Sequence, residues 1–266
     1  MKPFLKWAGG KYKIIDKILM SLPKAERLIE PFVGSGAVFL NAEYKSYLLA
    51  DTNPDLIYLY RHIQSEGADF IDYASDLFAV NNNTEEAFYN LREEFNNCTD
   101  TRRRAAIFIY LNRHCFNGLC RYNSKGKFNV PFGRYSKPAF PTDEVLNFSQ
   151  KSQNAEFIIA DFRKTMEMAK TGDLVYCDPP YAPLTATSNF SDYTQEGFTI
   201  VDQNELAQSA LNLRKQGITV VISNHATDFT RSIYMNAVIT EFDVQRFISS
   251  KSSKRGKAAE LIATFA

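Results

Sequence analysis

The apolar positions of this 266-residue chain fall into short β-type runs separated by amphipathic stretches. Residues 28–32 form one such run, and 47–51 a second that ends in an acid. The pattern returns at 157–161, 171–177 and 218–223, with candidate late strands at 238–242, 245–248 and 261–265. Runs of this length, rich in branched and aromatic residues, predict strands. Helices are expected from Ala37, from Pro54 with proline at the first helical position, and over 202–216. Strands alternating with helices predict an open α/β sheet. The rhythm breaks between about 54 and 141. There the period is mostly helical, as over 85–95 and 104–111. A hairpin is then expected over 118–134, turning at Ser124-Lys125-Gly126-Lys127. The stretch 54–141 therefore reads as an inserted subdomain, and 1–53 with 142–266 as one discontinuous sheet domain. A polar loop is expected over 183–198, and no internal repeat is visible.

Composition adds limits. With 45% hydrophobic residues the chain can bury a sizeable core. No apolar stretch approaches the ~20 residues of a membrane span, and the N-terminus carries no secretory segment. Cys98, Cys115, Cys120 and Cys177 include no Cys-x-x-Cys pair and read as reduced thiols of a cytoplasmic protein. His62, His114 and His225 lack metal-ligand spacing, so structural roles and no metal are expected.

Charge changes the picture more. The net charge of +1 hides a segregation. Residues 101–142 hold nine basic side chains and no acid, and 244–259 hold five more, again without an acid. The rest of the chain carries seventeen basic residues against all thirty acidic ones. Two acid-free basic segments on an otherwise acidic protein point to a polyanionic partner.

Candidate chemistry centres on Asp178-Pro179-Pro180-Tyr181, directly after an apolar run. Two prolines remove two N–H donors and fix two φ angles. The outcome is a stiff hook with a carboxylate, carbonyls and an aromatic face close together. Two readings stand open at this motif: a strand-ending turn, or a grip for a planar amine. In the second, Asp178 and the Pro179 carbonyl accept both amine hydrogens and Tyr181 stacks on the ring.

Phe32-x-Gly34-x-Gly36 follows the first good strand, where glycines let the backbone approach a ligand. Phe39 stands where a dinucleotide fingerprint carries its third glycine, and Gly10-Lys11 lacks the flanks of a P-loop. Asp51, ending the next strand, stands where an acid bonds ribose hydroxyls. The ligand so described bears a nucleoside without a strong phosphate requirement, which fits S-adenosylmethionine. Trp7 and Gly9-Gly10-Lys11 precede the first strand and suggest a turn presenting an amine to a carboxylate. In the hairpin region bases mix with aromatics and amides, including Arg113, Phe116, Asn117, Arg121, Asn123, Asn129, Arg134 and Tyr135. Arg suits guanine, Asn suits adenine, and aromatic wedges enter between base steps.

Taken in order, residues 4–11, Glu30-Pro31-Phe32-x-Gly34-x-Gly36, Asp51, 112–135 and Asp178-Pro179-Pro180-Tyr181 resemble the DNA adenine methyltransferase (Dam) family, the N6-adenine type that modifies GATC. The resemblance runs from Phe4 to Phe265. It implies a Rossmann-like methyltransferase sheet of seven mixed strands, with a mainly helical, hairpin-containing DNA-recognition domain inserted. It implies cofactor contacts at Trp7, Lys11, Phe32, Asp51, Asp161, Phe162 and Asp178. Lys6 and Arg121 match positions that contact guanines, and Leu119, Pro131 and Tyr135 match positions near the thymine. Arg92, Asn123, Asn129 and Arg134 match phosphate contacts. Phe116 stands where family members often carry an intercalating Tyr, keeping the ring but losing the hydroxyl. Residues 249–257 resemble a mobile family loop. The expected partner is double-stranded DNA, with no obligate protein partner evident. An RNA or protein N-methyltransferase, or an inactive DNA-binding regulator, are the rival readings.

Overall fold

The computed structural model describes residues 1–182, 198–245 and 257–266. The loop expected over 183–198 lies outside the described residues except for Phe198. So does the segment expected to be mobile, except for the backbone of Lys257.

The strands are β1 (Arg27–Glu30), β2 (Ser46–Asp51), β3 (Ala155–Ile159), β4 (Asp173–Cys177), β5 (Thr219–His225), β6 (Val238–Gln245) and β7 (Lys257–Phe265). They form one seven-stranded sheet in the order β3-β2-β1-β4-β5-β7-β6. β1 pairs in parallel with β2 and β4, and β4 with β5. β7 runs antiparallel to both β5 and β6. The seven mixed strands that the resemblance implies are borne out. The chain winds one way from β1 to β2 and the other way from β4 to β5. Open α/β sheets bind ligands outside the strand carboxyl ends at such a switch point. The apolar runs that marked β1, β4 and β5 are buried because helices cover parallel sheets on both faces.

The helices are α1 (Ile15–Ser21), α2 (Ala37–Asn41), α3 (Pro54–Glu66), α4 (Ala68–Ser75), α5 (Glu85–Asn97), α6 (Thr101–His114), α7 (Thr142–Lys151), α8 (Phe162–Glu167), α9 (Ile200–Lys215) and α10 (Asp228–Ile233). Pro54 opens α3 as expected, and the Asn53 side chain caps it by accepting from the N–H groups of Asp55 and Leu56.

Contacts divide the chain into two compact units. The first comprises Met1–Ile15, Val33–Ala42 and Asp51–Ile159; the second comprises Asp16–Phe32, Glu43–Ala50 and Ala160–Ala266. In the first unit α6 is the central helix, buried continuously from Ala105 to Asn112. Its buried neighbours include Phe88, Phe95 and Phe128, with the Phe95 and Phe108 rings stacked 6.0 Å apart. A second aromatic cluster joins Tyr60, Phe148, Phe157, Phe4 and Phe39, with Tyr60 and Phe148 only 4.5 Å apart.

Three local expectations are corrected. β1 stops at Glu30 rather than at residue 32, since Pro31 has no N–H to extend the ladder. Gln245 ends β6 instead of starting a separate strand. The hairpin is not a regular ladder: only the isolated bridges Cys115↔Phe132 and Tyr122↔Phe128 form, and its turn is Asn123–Gly126, one residue earlier than expected. Side chains replace the missing ladder bonds. Asn96 of α5 donates to the Phe128 carbonyl and accepts from its N–H, and Asn123 Oδ1 accepts from the N–H groups of Lys125 and Lys127.

Candidate active site and nucleic-acid interface

The predicted residues fall into one group in each unit. In the first unit, the glycine turn after β1 is built around Asp51. Its Oδ2 accepts from the Gly34 N–H at 3.1 Å and its Oδ1 from the Asn53 N–H at 2.9 Å. Burial pushes the Asp51 carboxyl up, while these backbone donors pull it down. Gly34 has φ +46°, and a Cβ there would lie 3.0 Å from the Trp7 indole nitrogen. A side chain at this turn is therefore excluded twice, by backbone and by Trp7. The Tyr60 hydroxyl donates to the Gly34 carbonyl at 2.5 Å, locking the turn from below. Gly36 leads directly into α2. Lys11 is buried, with Nζ donating to the Gly9 carbonyl at 2.5 Å. Trp7, Lys11, Gly34, Gly36 and Asp51 thus belong to one turn system.

The same unit carries every predicted DNA contact. Phe116 is 50% exposed at the tip of the loop that follows α6, beside Asn117 in a left-handed conformation. That conformation is one Asn tolerates better than most residues. The Phe116 N–H donates to the Pro131 carbonyl and the Asn117 N–H to the Tyr135 hydroxyl. Lys6 lies over the Tyr135 ring, Nζ 4.2 Å from its centre. Gly118 is obligatory beneath it, since a Cβ would fall 2.4 Å from the Lys6 side chain. Asn112 ties this layer together, accepting from the Lys6 N–H and donating to the Lys6 and Gly118 carbonyls. Burial, then Arg113, lowers the Lys6 ammonium from its ordinary value. Arg113 is itself lowered by burial and points back to the Phe4 carbonyl, so it supports the layer from behind.

On the hairpin, Arg121 and Arg134 are exposed, Asn129 and Leu119 half-buried, and Pro131 and Asn123 exposed. Arg121 Nε donates to Asn129 Oδ1 at 2.8 Å, so these two form a single polar unit. Asn123 is occupied in holding its own turn. Arg92 stacks on Tyr89 and donates to the Val130 carbonyl, fixing the hairpin as well as presenting charge.

The basic stretch needs one correction. Arg102 pairs with Glu66, Arg103 with Glu94, and Arg104 with Asp55 at 2.6 Å each. Asp55 also accepts from the Tyr122 hydroxyl at 2.7 Å. These three arginines are structural, and their acids lie outside the acid-free segment. The charge that faces outward comes from the hairpin, where Arg121, Lys125, Lys127, Arg134 and Lys137 are exposed.

In the second unit, the hook leaves the carboxyl end of β4. Pro179 is buried, while Asp178 and Tyr181 are half-buried. Four residues that sequence reading did not single out for this role hold it. Gln203 of α9 donates to the Pro180 carbonyl at 2.8 Å. Asn224 accepts from the Ala182 N–H at 3.0 Å, and His225 Nδ1 donates to the Ala182 carbonyl at 2.7 Å. The Tyr181 hydroxyl donates to Glu260 at 3.2 Å, and its ring meets His225 edge-on at 4.6 Å. The β5–β7 register pairs His225 with Glu260, which brings both beside Tyr181. His225 was expected to be structural; it touches the hook directly. Burial, then the Asp178 charge, pushes the Tyr181 hydroxyl well up, so it stays a neutral donor.

Phe32, Phe162 and Phe198 form a triangle of rings, each pair 5.6 Å apart. Asp161 caps α8 and pairs with Arg163, which also binds Asp202 and Glu205. Phe162 and Phe198 are buried in this triangle and Phe32 is half-buried. Among the described residues no group of three or more His, Cys, Asp or Glu is placed to hold a metal ion. No described helix is long and apolar enough to cross a membrane.

Comparison with known proteins gives this geometry its context. Residues 7–248 match the model of the D12 class N6 adenine-specific DNA methyltransferases. The chain is 51% identical over 265 residues to the DNA adenine methylase of Serratia marcescens, covering 99% of this chain and 98% of that one. It is 48% identical over 264 residues to the DNA adenine methylase of Escherichia coli (strain K12), covering 99% and 95%. Among solved structures, the delta-N METTL16 MTase domain aligns with TM-score 0.44 at 8% identity, over 96% of this chain and 82% of that one. The chain belongs to the D12 class N6 adenine-specific DNA methyltransferase family and is an adenine-specific DNA methyltransferase.

Proposed function

We propose that the substrate is the adenine of duplex GATC, flipped out of the helix, and that S-adenosylmethionine is the methyl donor. The observation that carries this reading is the Asp178-Pro179-Pro180-Tyr181 hook. It sets a carboxylate, carbonyls and a braced aromatic face together at the end of β4. When bound, S-adenosylmethionine supplies a methyl group on a positively charged sulfur, open to attack by a nitrogen lone pair.

The residues fit such a donor. Asp51 keeps lone pairs beyond its bonds to the Gly34, Thr52 and Asn53 N–H groups and takes the ribose hydroxyls. Phe32, backed by the stacked Phe162 ring, packs against the adenine, with Asp161 at its polar edge. Gly34 and Gly36 let the backbone come close, and Trp7 and Lys11 bind the amino-acid end.

Flipping the target base costs a few kcal/mol. Phe116 fills the gap by apolar stacking alone, having no hydroxyl. Lys6 and Arg121 read guanine, Leu119, Pro131 and Tyr135 lie against the thymine, and Asn117 and Arg113 support the same loop. Arg92, Asn123, Asn129 and Arg134 hold phosphates. In this account 54–141 works as the recognition domain and 1–53 with 142–266 as the catalytic one.

Tyr181 stacks on the flipped base while Asp178 and the Pro179 carbonyl accept the two N6 hydrogens. Those bonds draw the nitrogen toward tetrahedral geometry and localise its lone pair. Asp178 acts as a polariser, and once the new N–C bond has formed at the cost of the methyl–sulfur bond its carboxylate accepts the proton that leaves N6. Most of the rate comes from positioning and electrostatics.

The test is transfer of labelled methyl from S-adenosylmethionine to short duplexes, one containing GATC and others each differing by one base pair. Transfer confined to GATC is the expected result. Equal transfer to all duplexes that contain adenine overturns the assignment of the hairpin to sequence reading.

A further inference from the structure

The hook does not hold its own shape. Two prolines fix φ at residues 179 and 180 but leave the exit of the turn undetermined. In the structure that exit is fixed by a buried side-chain chain. Asn224, fully buried at the end of β5, uses every polar site it has. Its Oδ1 accepts from the Ala182 and His225 N–H groups, and its Nδ2 donates to Gln203 Oε1 at 3.0 Å and to the Tyr234 hydroxyl at 3.1 Å. Gln203, also fully buried, passes this on by donating Nε2 to the Pro180 carbonyl. The amide orientations are dictated by the partners, because a backbone carbonyl at one end and a backbone N–H at the other admit only one direction of donation. Buried polar chains are satisfied as a whole or fail as a whole.

We propose that Gln203 and Asn224 are positioning residues for methyl transfer. Together they take up the Pro180 carbonyl and the Ala182 N–H. The Pro179 carbonyl is then the one the hook presents, and the Tyr181 ring is held at a fixed angle. This rests on the hook acting on the adenine amine as set out above. Gln203 touches neither the flipped base nor the donor in this account; it acts through Pro180.

Gln203→Glu is the sharpest test. It keeps the acceptor for Asn224 and loses the donor to Pro180. Single-turnover methyl transfer to a GATC duplex should fall tenfold or more, with affinities for S-adenosylmethionine and for DNA within twofold of the parent. The introduced carboxyl regains a donor when protonated, so the variant's rate should recover relative to the parent as pH is lowered. Gln203→Met, which removes both functions at similar volume, serves where a buried carboxylate prevents folding, and should lose rate without recovery at low pH. A folded Gln203 variant whose transfer rate stays within twofold of the parent overturns the proposal, as does a loss carried wholly by substrate affinity. Asp178→Ala run alongside separates the two levels. If it is inactive while the Gln203 variants are normal, the brace alone is wrong. If it too retains turnover, the hook reading fails first.

Discussion

At the scale of single residues, what a side chain touches in the free protein decides what it can give to DNA. Arg121 is exposed and, among the described residues, its guanidinium is hydrogen-bonded to Asn129, so its fork can be turned toward a base edge at small cost. Arg104 is the opposite case: bound to Asp55 and to two carbonyls, it is committed to the fold. The prediction for Arg121→Ala is therefore a loss of discrimination at one base pair of the site, about 1–3 kcal/mol, with little change at the others. Competition binding with single-pair variants of the site measures it. A uniform loss across all duplexes would make Arg121 a phosphate contact instead.

At the scale of elements, α6 governs the recognition unit, and its last residue carries a pH dependence. His114 is buried, stacked on Tyr110 at 3.8 Å, with Nδ1 donating to the Tyr110 carbonyl. Phe78 covers it, and Arg113 and Lys6 face it with positive charge. Burial, chiefly, lowers its pKa from 6.5 to about 4. In the unfolded chain the imidazole takes a proton near its ordinary value, so between pH 6.5 and about 4 the unfolded state binds more protons. Stability should accordingly fall as pH drops through that window and be unaffected above it. Denaturant midpoints at stepped pH test this, and His114→Gln should flatten the slope. A slope unchanged in that variant would assign the acid sensitivity to other groups.

The elements also show what a sequence can and cannot tell. The glycine turn and the hook are contiguous motifs whose chemistry is carried by neighbours in the chain, and both are legible. The brace of the hook is not. Gln203, Asn224, His225 and Glu260 are spread over three elements, and each alone is an ordinary polar residue. Only the β5–β7 register and the packing of α9 bring them to one place. The hairpin was legible as a reversal between α6 and α7, but not its irregularity, because Asn96 on a separate helix does the work of a ladder.

At the scale of the whole molecule, charge segregation pointed to a polyanion and the family supports DNA, yet part of that argument came from arginines already paired with acids. Arg102, Arg103 and Arg104 are neutralised by acids distant in sequence, which no count along the chain could reveal. Within residues 101–142 the exposed charge sits on the hairpin, which resemblance assigns to the duplex. The sheet carries the other half, with the hook at the end of β4.

The claim on which this account turns is that Asp178 polarises the adenine amine without being needed to bind either substrate. Single-turnover methyl transfer by Asp178→Ala, together with its affinities for S-adenosylmethionine and for GATC duplex, tests it most directly. The account predicts a rate lower by ~10³-fold or more, as for removal of a principal electrostatic group, with both substrates still bound. Transfer at the parent rate in a variant that binds both would contradict it.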